Sequence, residues 1–245
     1  MNQSTSPSKL LSILSFLVLL PLNHVSAQSK TDSPPVVFIK AGRLIDVQGG
    51  KVLEAQGILI EGERIKEVGP LASISPKVPK EASVLDLSNA TVLPGLIDCH
   101  THVTGQPENY YEDRFRKSAI NSAVVAHVYA KRTLEAGFTT VRDAGSWEFV
   151  DVALRDAIAS GKIPGPRMQV ATLAVGSTGG HNDVTGFSPY IKFEGFSGVA
   201  DGIDEIRKLI RFEVKNGADL IKLIATAGVL SEEESAGAAQ YSQEE

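Results

Sequence analysis

Cys99 is the only cysteine in this 245-residue chain, so no internal disulfide can hold the fold together. Basic residues are also scarce: 24 Lys and Arg stand against 29 Asp and Glu, for a net charge of −5. With no basic stripe, no nucleic-acid partner is expected. No internal repeat recurs at about 20–50 residues, so a repeat architecture is not expected. A membrane-length run is missing too. Leu10–Leu22 is nearly unbroken apolar sequence, but it falls short of the roughly 20 residues that cross a bilayer. With Lys9 ahead of it and Val25-Ser26-Ala27 behind, residues 1–27 read as a secretory signal peptide cleaved near Ala27-Gln28. An uncleaved amphipathic anchor is the alternative. The expected product is secreted or periplasmic, with a Gram-negative periplasm preferred and no stable membrane span after cleavage. What remains, 42% hydrophobic and 22% charged, describes an ordinary globular chain.

After a polar linker over 28–35, residues 36–92 are β-rich. Val36-Val37-Phe38-Ile39 reads as a strand, and Glu61-Gly62-Glu63 as a hairpin turn between Gly57–Ile60 and Arg64–Val68. Short strands follow at Val84–Leu87 and Thr91–Leu93. The segment predicts a small β-sandwich or capping sheet without catalytic residues. From Pro94 the pattern changes to alternation of strands and amphipathic helices. Strands are expected at Gly95–Val103, Phe138–Asp143, Arg167–Ala171 and Leu220–Ile224. Helices are expected at Ser118–Ala136, Phe149–Ser160 and Ile203–Lys215. Such alternation gives a parallel sheet with right-handed crossovers. The fold class is α/β, an incomplete (β/α)8 TIM barrel of about four βα units over 93–245, because a full barrel takes about 250 residues. Ser242-Gln243-Glu244-Glu245 has the form of a capping box, which opens a helix, and the chain is therefore expected to be a truncated or fragmentary product. A complete small doubly wound domain is the competing idea.

His100-Thr101-His102 ends the apolar run that begins at Val92 and lies in the expected Gly95–Val103 strand. Alternate residues of a strand share a face, so the two imidazoles would converge with Asp98 aligned behind them. Converging neutral imidazoles suit a borderline divalent metal such as zinc; a pair of hydrogen-bonded, partly buried histidines is the other reading. Cys99 would point away and serve strand packing. Lys222 interrupts the apolar Leu220–Ile224 strand. Burial lowers a lysine pKa, and a neutral amine can capture carbon dioxide as a carbamate able to bridge two metal ions. A lysine that snorkels to water is the alternative. His181 lies in the glycine-rich Gly176–Asp183 loop, where no Gly-Lys-Ser/Thr follows to make a phosphate cradle. Arg142 and Asp143 are expected to form a buried ion pair supporting the barrel mouth, with help to the site from Asp143 as the second reading, and mid-helix His127 is expected to pack.

Pro94-Gly95-Leu96-Ile97-Asp98-Cys99-His100-Thr101-His102, Thr139–Asp143 and Gly217–Lys222 together resemble the amidohydrolase superfamily, as does Ile58–Ile65. Within it the chain is most similar to the imidazolonepropionase-like, Xaa-Pro dipeptidase-type branch. The resemblance implies His100 and His102 as metal ligands after strand one and carboxylated Lys222 as a bridge after strand four, holding two zinc ions. It also implies that His181 contacts the substrate. Further histidines after strands five and six, and a general-base aspartate after strand eight, would lie beyond residue 245. Asp143 follows strand two and is not that aspartate. The implied reaction is hydrolysis of an amide or peptide C–N bond by a metal-activated hydroxide, on a dipeptide or N-acyl amino acid. A cyclic amide or lactone hydrolase of the same fold is the alternative, as is a non-catalytic product. A homo-oligomer is left open, and the 245-residue chain alone is expected to be inactive and poorly stable.

Overall fold

The computed structural model describes residues 34–106, 113, 115–191, 198–228 and 237–245. The expected signal peptide lies outside the described residues, as does the linker up to Ser33. The described residues divide into two compact units: one holds 34–44 and Val52–Val92, the other Ile45–Lys51 and those from Leu93 on.

In the first unit, Val36–Asp46 (β1), Lys51–Glu61 (β2), Arg64–Pro70 (β3) and Ser83–Val92 (β4) form one sheet in the order β3-β2-β1-β4. The β2–β3 hairpin is antiparallel and β1–β4 is parallel. Gly62 makes the hairpin turn at φ 62°, a left-handed conformation that glycine adopts without a Cβ clash. A short helix, Leu71–Ile74 (α1), covers this sheet: Ile74 packs with Phe38 of β1 and Leu59 of β2. Of the expected sandwich or capping sheet, the described residues form one four-stranded sheet. The small helix closes over Phe38 and Leu59, while Ile65 and Val68 of β3 and Val84 and Leu85 of β4 stay exposed.

The second unit runs Leu96–Thr101 (β5), Ala119–Glu135 (α2), Phe138–Asp143 (β6), Val150–Ala159 (α3), Arg167–Val170 (β7), Ala174–Val175 (β8), Gly202–Lys215 (α4) and Lys222–Leu223 (β9). Pairs β5–β6, β6–β7 and β8–β9 are all parallel. Side chains alternate along each strand, so Val141, Met168 and Val170 share one face. They meet Ala126 and Ala130 of α2 and Val150 and Leu154 of α3 in the main core. Ser118 caps α2 through a capping box with Asn121, whose Oδ1 accepts from the Ser118 backbone N–H at 2.9 Å.

The third strand breaks between β7 and β8. Thr172 there stands at φ 61°, a costly conformation for a β-branched residue. Its backbone is pinned on both sides: Thr172 N–H donates to Asp151 Oδ2 at 2.8 Å, and its carbonyl accepts from Ser146 N–H at 2.6 Å. Asp219, ahead of β9, ties the two sheets together. Its N–H donates to Val170 O at 2.8 Å, and its Oδ2 accepts from Val170 N–H at 3.0 Å and from Arg155 of α3 at 2.7 Å. The fourth strand is shorter than the apolar Leu220–Ile224 run predicts, since only Lys222 and Leu223 pair with β8. The final Ser242–Glu245 capping box does form: Ser242 N–H donates to Glu245 Oε2 at 2.9 Å and Glu245 N–H reaches Ser242 Oγ at 3.4 Å.

Candidate active site

β5 ends one residue before His102, so His100 belongs to the strand and His102 to the turn that follows. The rings still come together, with centroids 5.4 Å apart and planes at 61°. His102 Nδ1 lies 2.9 Å from the carbonyl oxygen of Gly145, in the loop after β6. A carbonyl only accepts, so Nδ1 carries the proton and the Nε2 lone pair is left for another partner. Gly145 stands at φ +153°, and a Cβ there would sit 3.3 Å from His102 Cε1. Glycine therefore lets the carbonyl come this close.

His100 is held below the usual imidazole pKa, first by burial and then by the charges of Lys222, His102 and Arg142; Asp98 opposes them. Lys222 of β9 thus acts on His100 of β5 through its charge. Lys222 is half-buried rather than enclosed, because β9 is too short to surround it. Asp98 is engaged by the backbone of His100. Its Oδ1 accepts the His100 backbone N–H at 3.0 Å.

The expected Arg142–Asp143 ion pair does not form. Neighbours on a strand point to opposite faces. Arg142 is exposed and donates from Nε to Cys99 O at 2.7 Å, whereas Asp143 is fully buried on the helix-facing side. Asp143 Oδ1 accepts from Thr101 Oγ1 at 2.9 Å and from Val103 N–H at 2.7 Å. Its Oδ2 has no partner among the described residues, and burial pushes its pKa up to about 7, with Asp151 adding to the rise. Cys99 is exposed rather than packed, since β5 is an edge strand of its sheet. His127 is exposed on α2, so the expected packing role does not hold either.

His181 is half-buried, in the loop after β8. Its backbone N–H donates to Gln240 Oε1 at 3.1 Å. Its ring lies against Gly228, where a Cβ would come within 2.6 Å of Nε2. The Nδ1 atom is buried without a partner among the described residues. No described contact joins His181 to His100, His102 or Lys222. A hollow of about 450 Å³ lies between α4, β9 and the last residues, lined by Ile206, Leu223, Thr226 and Tyr241, with neither β5 histidine in its wall.

Two buried carboxyls escape the sequence reading. Asp151 of α3 binds the Thr172 turn, and Glu213 of α4 is fully buried with no partner for either oxygen among the described residues. Glu213 is pushed up to about 8 by burial and by the Asp151 charge. A signal for it exists: Glu213 falls on the same helical face as Ile206, Leu209 and Ile210.

Can this arrangement hold a divalent metal? Among the described residues no cluster of three or more His, Cys, Asp or Glu gathers to do so. The donors at β5 nevertheless fit one. His102 is fixed with Nε2 free, His100 is biased toward its neutral form, and Lys222 lies within electrostatic reach.

The model of the amidohydrolase family matches residues 91–245, and the chain belongs to that family, whose superfamily is metal-dependent. Ochratoxinase of Aspergillus niger is 31% identical over 235 residues, covering 89% of this chain and 48% of its own length. A crystal structure of a Xaa-Pro dipeptidase with methionine bound in the active site is similar at TM-score 0.77 and 33% identity, over 85% of this chain and 52% of that one. The crystal structure of the A. niger ochratoxinase gives TM-score 0.69 and 28% identity, over 86% of this chain and 51% of the other. The chain thus spans about half the length of these relatives.

Proposed function

We propose that this chain carries the first four βα units of a (β/α)8 barrel hydrolase that cleaves an amide or peptide C–N bond in a dipeptide or N-acyl amino acid. His100 and His102 would ligate one divalent ion, and a carboxylated Lys222 would bridge it to a second, with zinc the favoured element. The observation that carries this reading is the His102 ring, whose Nδ1 is engaged by Gly145 O so that the Nε2 lone pair remains available, in a ring 5.4 Å from that of His100. Relatives whose names specify a Xaa-Pro dipeptidase and an ochratoxinase support a C–N hydrolase. When bound, the metal would supply Lewis acidity toward a carbonyl and a hydroxide nucleophile near neutral pH.

The chain's own residues have distinct tasks in this reading. The Gly145 carbonyl fixes one tautomer of His102. Arg142 fastens the β5 backbone through Cys99 O, and its charge helps keep His100 neutral. His181, with its partnerless buried Nδ1, would meet the polar end of the substrate. Secretion or export to the periplasm follows from the Lys9–Ala27 segment and forms part of the same proposal.

The test is a panel of dipeptides, N-acyl amino acids and cyclic amides offered to the complete gene product with zinc. Turnover of a dipeptide or N-acyl amino acid is expected, and His102→Ala is expected to lower it at least tenfold, as loss of a metal ligand requires. Turnover confined to cyclic amides would transfer the assignment to the alternative substrate class. Turnover indifferent to His102→Ala would refute the site.

A further inference from the structure

We infer that Asp143 is a positioning residue for the β5 histidines: its buried carboxylate clamps the residues before and after His102, and so fixes the direction in which His102 faces. This rests on the metal-site reading above and extends it to a residue on the opposite side of the sheet.

The geometry is a two-sided bracket. One oxygen, Asp143 Oδ1, accepts the Thr101 hydroxyl at 2.9 Å and the Val103 backbone N–H at 2.7 Å. His102 is the single residue between those contacts. It lies just past the end of β5, where no strand pairing holds its backbone. A third bond comes from the same segment: Ala144 N–H donates to Thr101 O at 2.8 Å. One residue further on, Gly145 O meets His102 Nδ1 at 2.9 Å. Asp143, Ala144 and Gly145 thus grip the His102 turn through its hydroxyl neighbour, its backbone and its ring. Asp143 is the last residue of β6, and Ala144 and Gly145 follow it directly.

Burial gives the bracket its stiffness. Asp143 is fully buried beside Val141 and Val170, in a position where water cannot replace a lost bond. Removing the acceptor would leave the Val103 N–H buried and unpaired, which favours rearrangement of the turn. A rearranged turn moves His102 off the Gly145 carbonyl. The ring then loses its single tautomer, and with it the fixed Nε2 direction that a metal needs. The acceptor oxygen matters in this account, and the negative charge does not. Asp143→Asn keeps an oxygen able to accept both bonds, whereas Asp143→Ala removes it.

Histidine-labelled full chain, free of metal and at a pH where the rings are neutral, gives the direct readout through nitrogen chemical shifts of the His102 ring. Wild type and Asp143→Asn are expected to show one His102 tautomer with the proton on Nδ1. Asp143→Ala is expected to show a mixture of tautomers, and Thr101→Val a smaller change in the same sense. Cobalt titration of the same proteins should show affinity falling about 10–100-fold in Asp143→Ala and little in Asp143→Asn. A folded Asp143→Ala with an unchanged His102 tautomer would overturn the inference, as would Asp143→Asn behaving like Asp143→Ala. Should Asp143→Ala fail to fold, an unchanged tautomer in Thr101→Val overturns it instead. Wild type that binds no cobalt contradicts the metal reading alone, because the ring spectrum reports on the bracket without metal.

Discussion

Glu213 sits where α4 otherwise turns apolar residues inward, and burial raises its carboxyl to about 8 from an ordinary 4.5. The folded state therefore holds its proton more tightly than the unfolded chain does. That preference stabilises the fold fully below about pH 4.5 and is lost as pH climbs through about 8. Asp143, raised to about 7, acts in the same sense. Urea midpoints are expected to fall between about pH 5 and 8, and Glu213→Gln should flatten that fall and raise the midpoint at the alkaline end. A profile no flatter in Glu213→Gln would show that the glutamate is not responsible. At Gly145, an alanine Cβ would crowd His102 Cε1 at 3.3 Å and add strain at φ +153°, so Gly145→Ala should disturb the His102 ring more than the global fold. His100, His102 and Lys222 were legible as candidates because imidazole at alternate strand positions and a lysine in an apolar strand are unusual side chains. The Asp143 bracket was not, since its bonds run to a hydroxyl and a backbone N–H that leave no mark of their own. The failed Arg142–Asp143 pair shows how sequence adjacency misleads on a strand, where neighbours face apart.

Helices were legible to within a residue or so because their ends are chemically marked. Ser118 and Asn121 make the capping box that starts α2, and Gly137 at φ +97° ends the turn beyond it. Ser118→Ala should cost about 1 kcal/mol in chemical denaturation, the ordinary value for a lost N-cap. The strands were harder. β9 is only Lys222–Leu223 because Asp219 diverts its backbone and side chain to Val170 and Arg155 before the apolar run can pair. Asp219→Ala keeps the backbone bond to Val170 O but removes the side-chain links to Arg155 of α3 and Val170 of β7, and about 2 kcal/mol of stability should go with these charge-assisted bonds. An unchanged urea midpoint would show that the two sheets are joined by other means. The break at Thr172 was equally hidden, as a left-handed threonine is held by Asp151 and Ser146 from elsewhere in the chain.

Across the second unit, large apolar side chains remain exposed: Ile97 at 66%, Ile120 at 73% and Val124 at 64%. Ile120 and Val124 are four residues apart on α2 and line one face of it. The 245-residue chain on its own should therefore bind a hydrophobic dye and associate with rising concentration in sedimentation velocity runs. A dye-silent monomer across the concentration range would argue against that. The alternation of strands and helices was readable over this whole region because hydrophobic period changes from two to 3.6 between elements. The sheet over 36–92 was read as β-rich, yet its number of layers depends on where α1 lands. The most direct test of the account is metal content by elemental analysis of the complete protein, purified with zinc and bicarbonate, beside His102→Ala and Lys222→Ala. Two zinc per chain in the wild type, with a clear loss in both variants, is the predicted result. No stoichiometric metal in the wild type, or full retention in both variants, would contradict it.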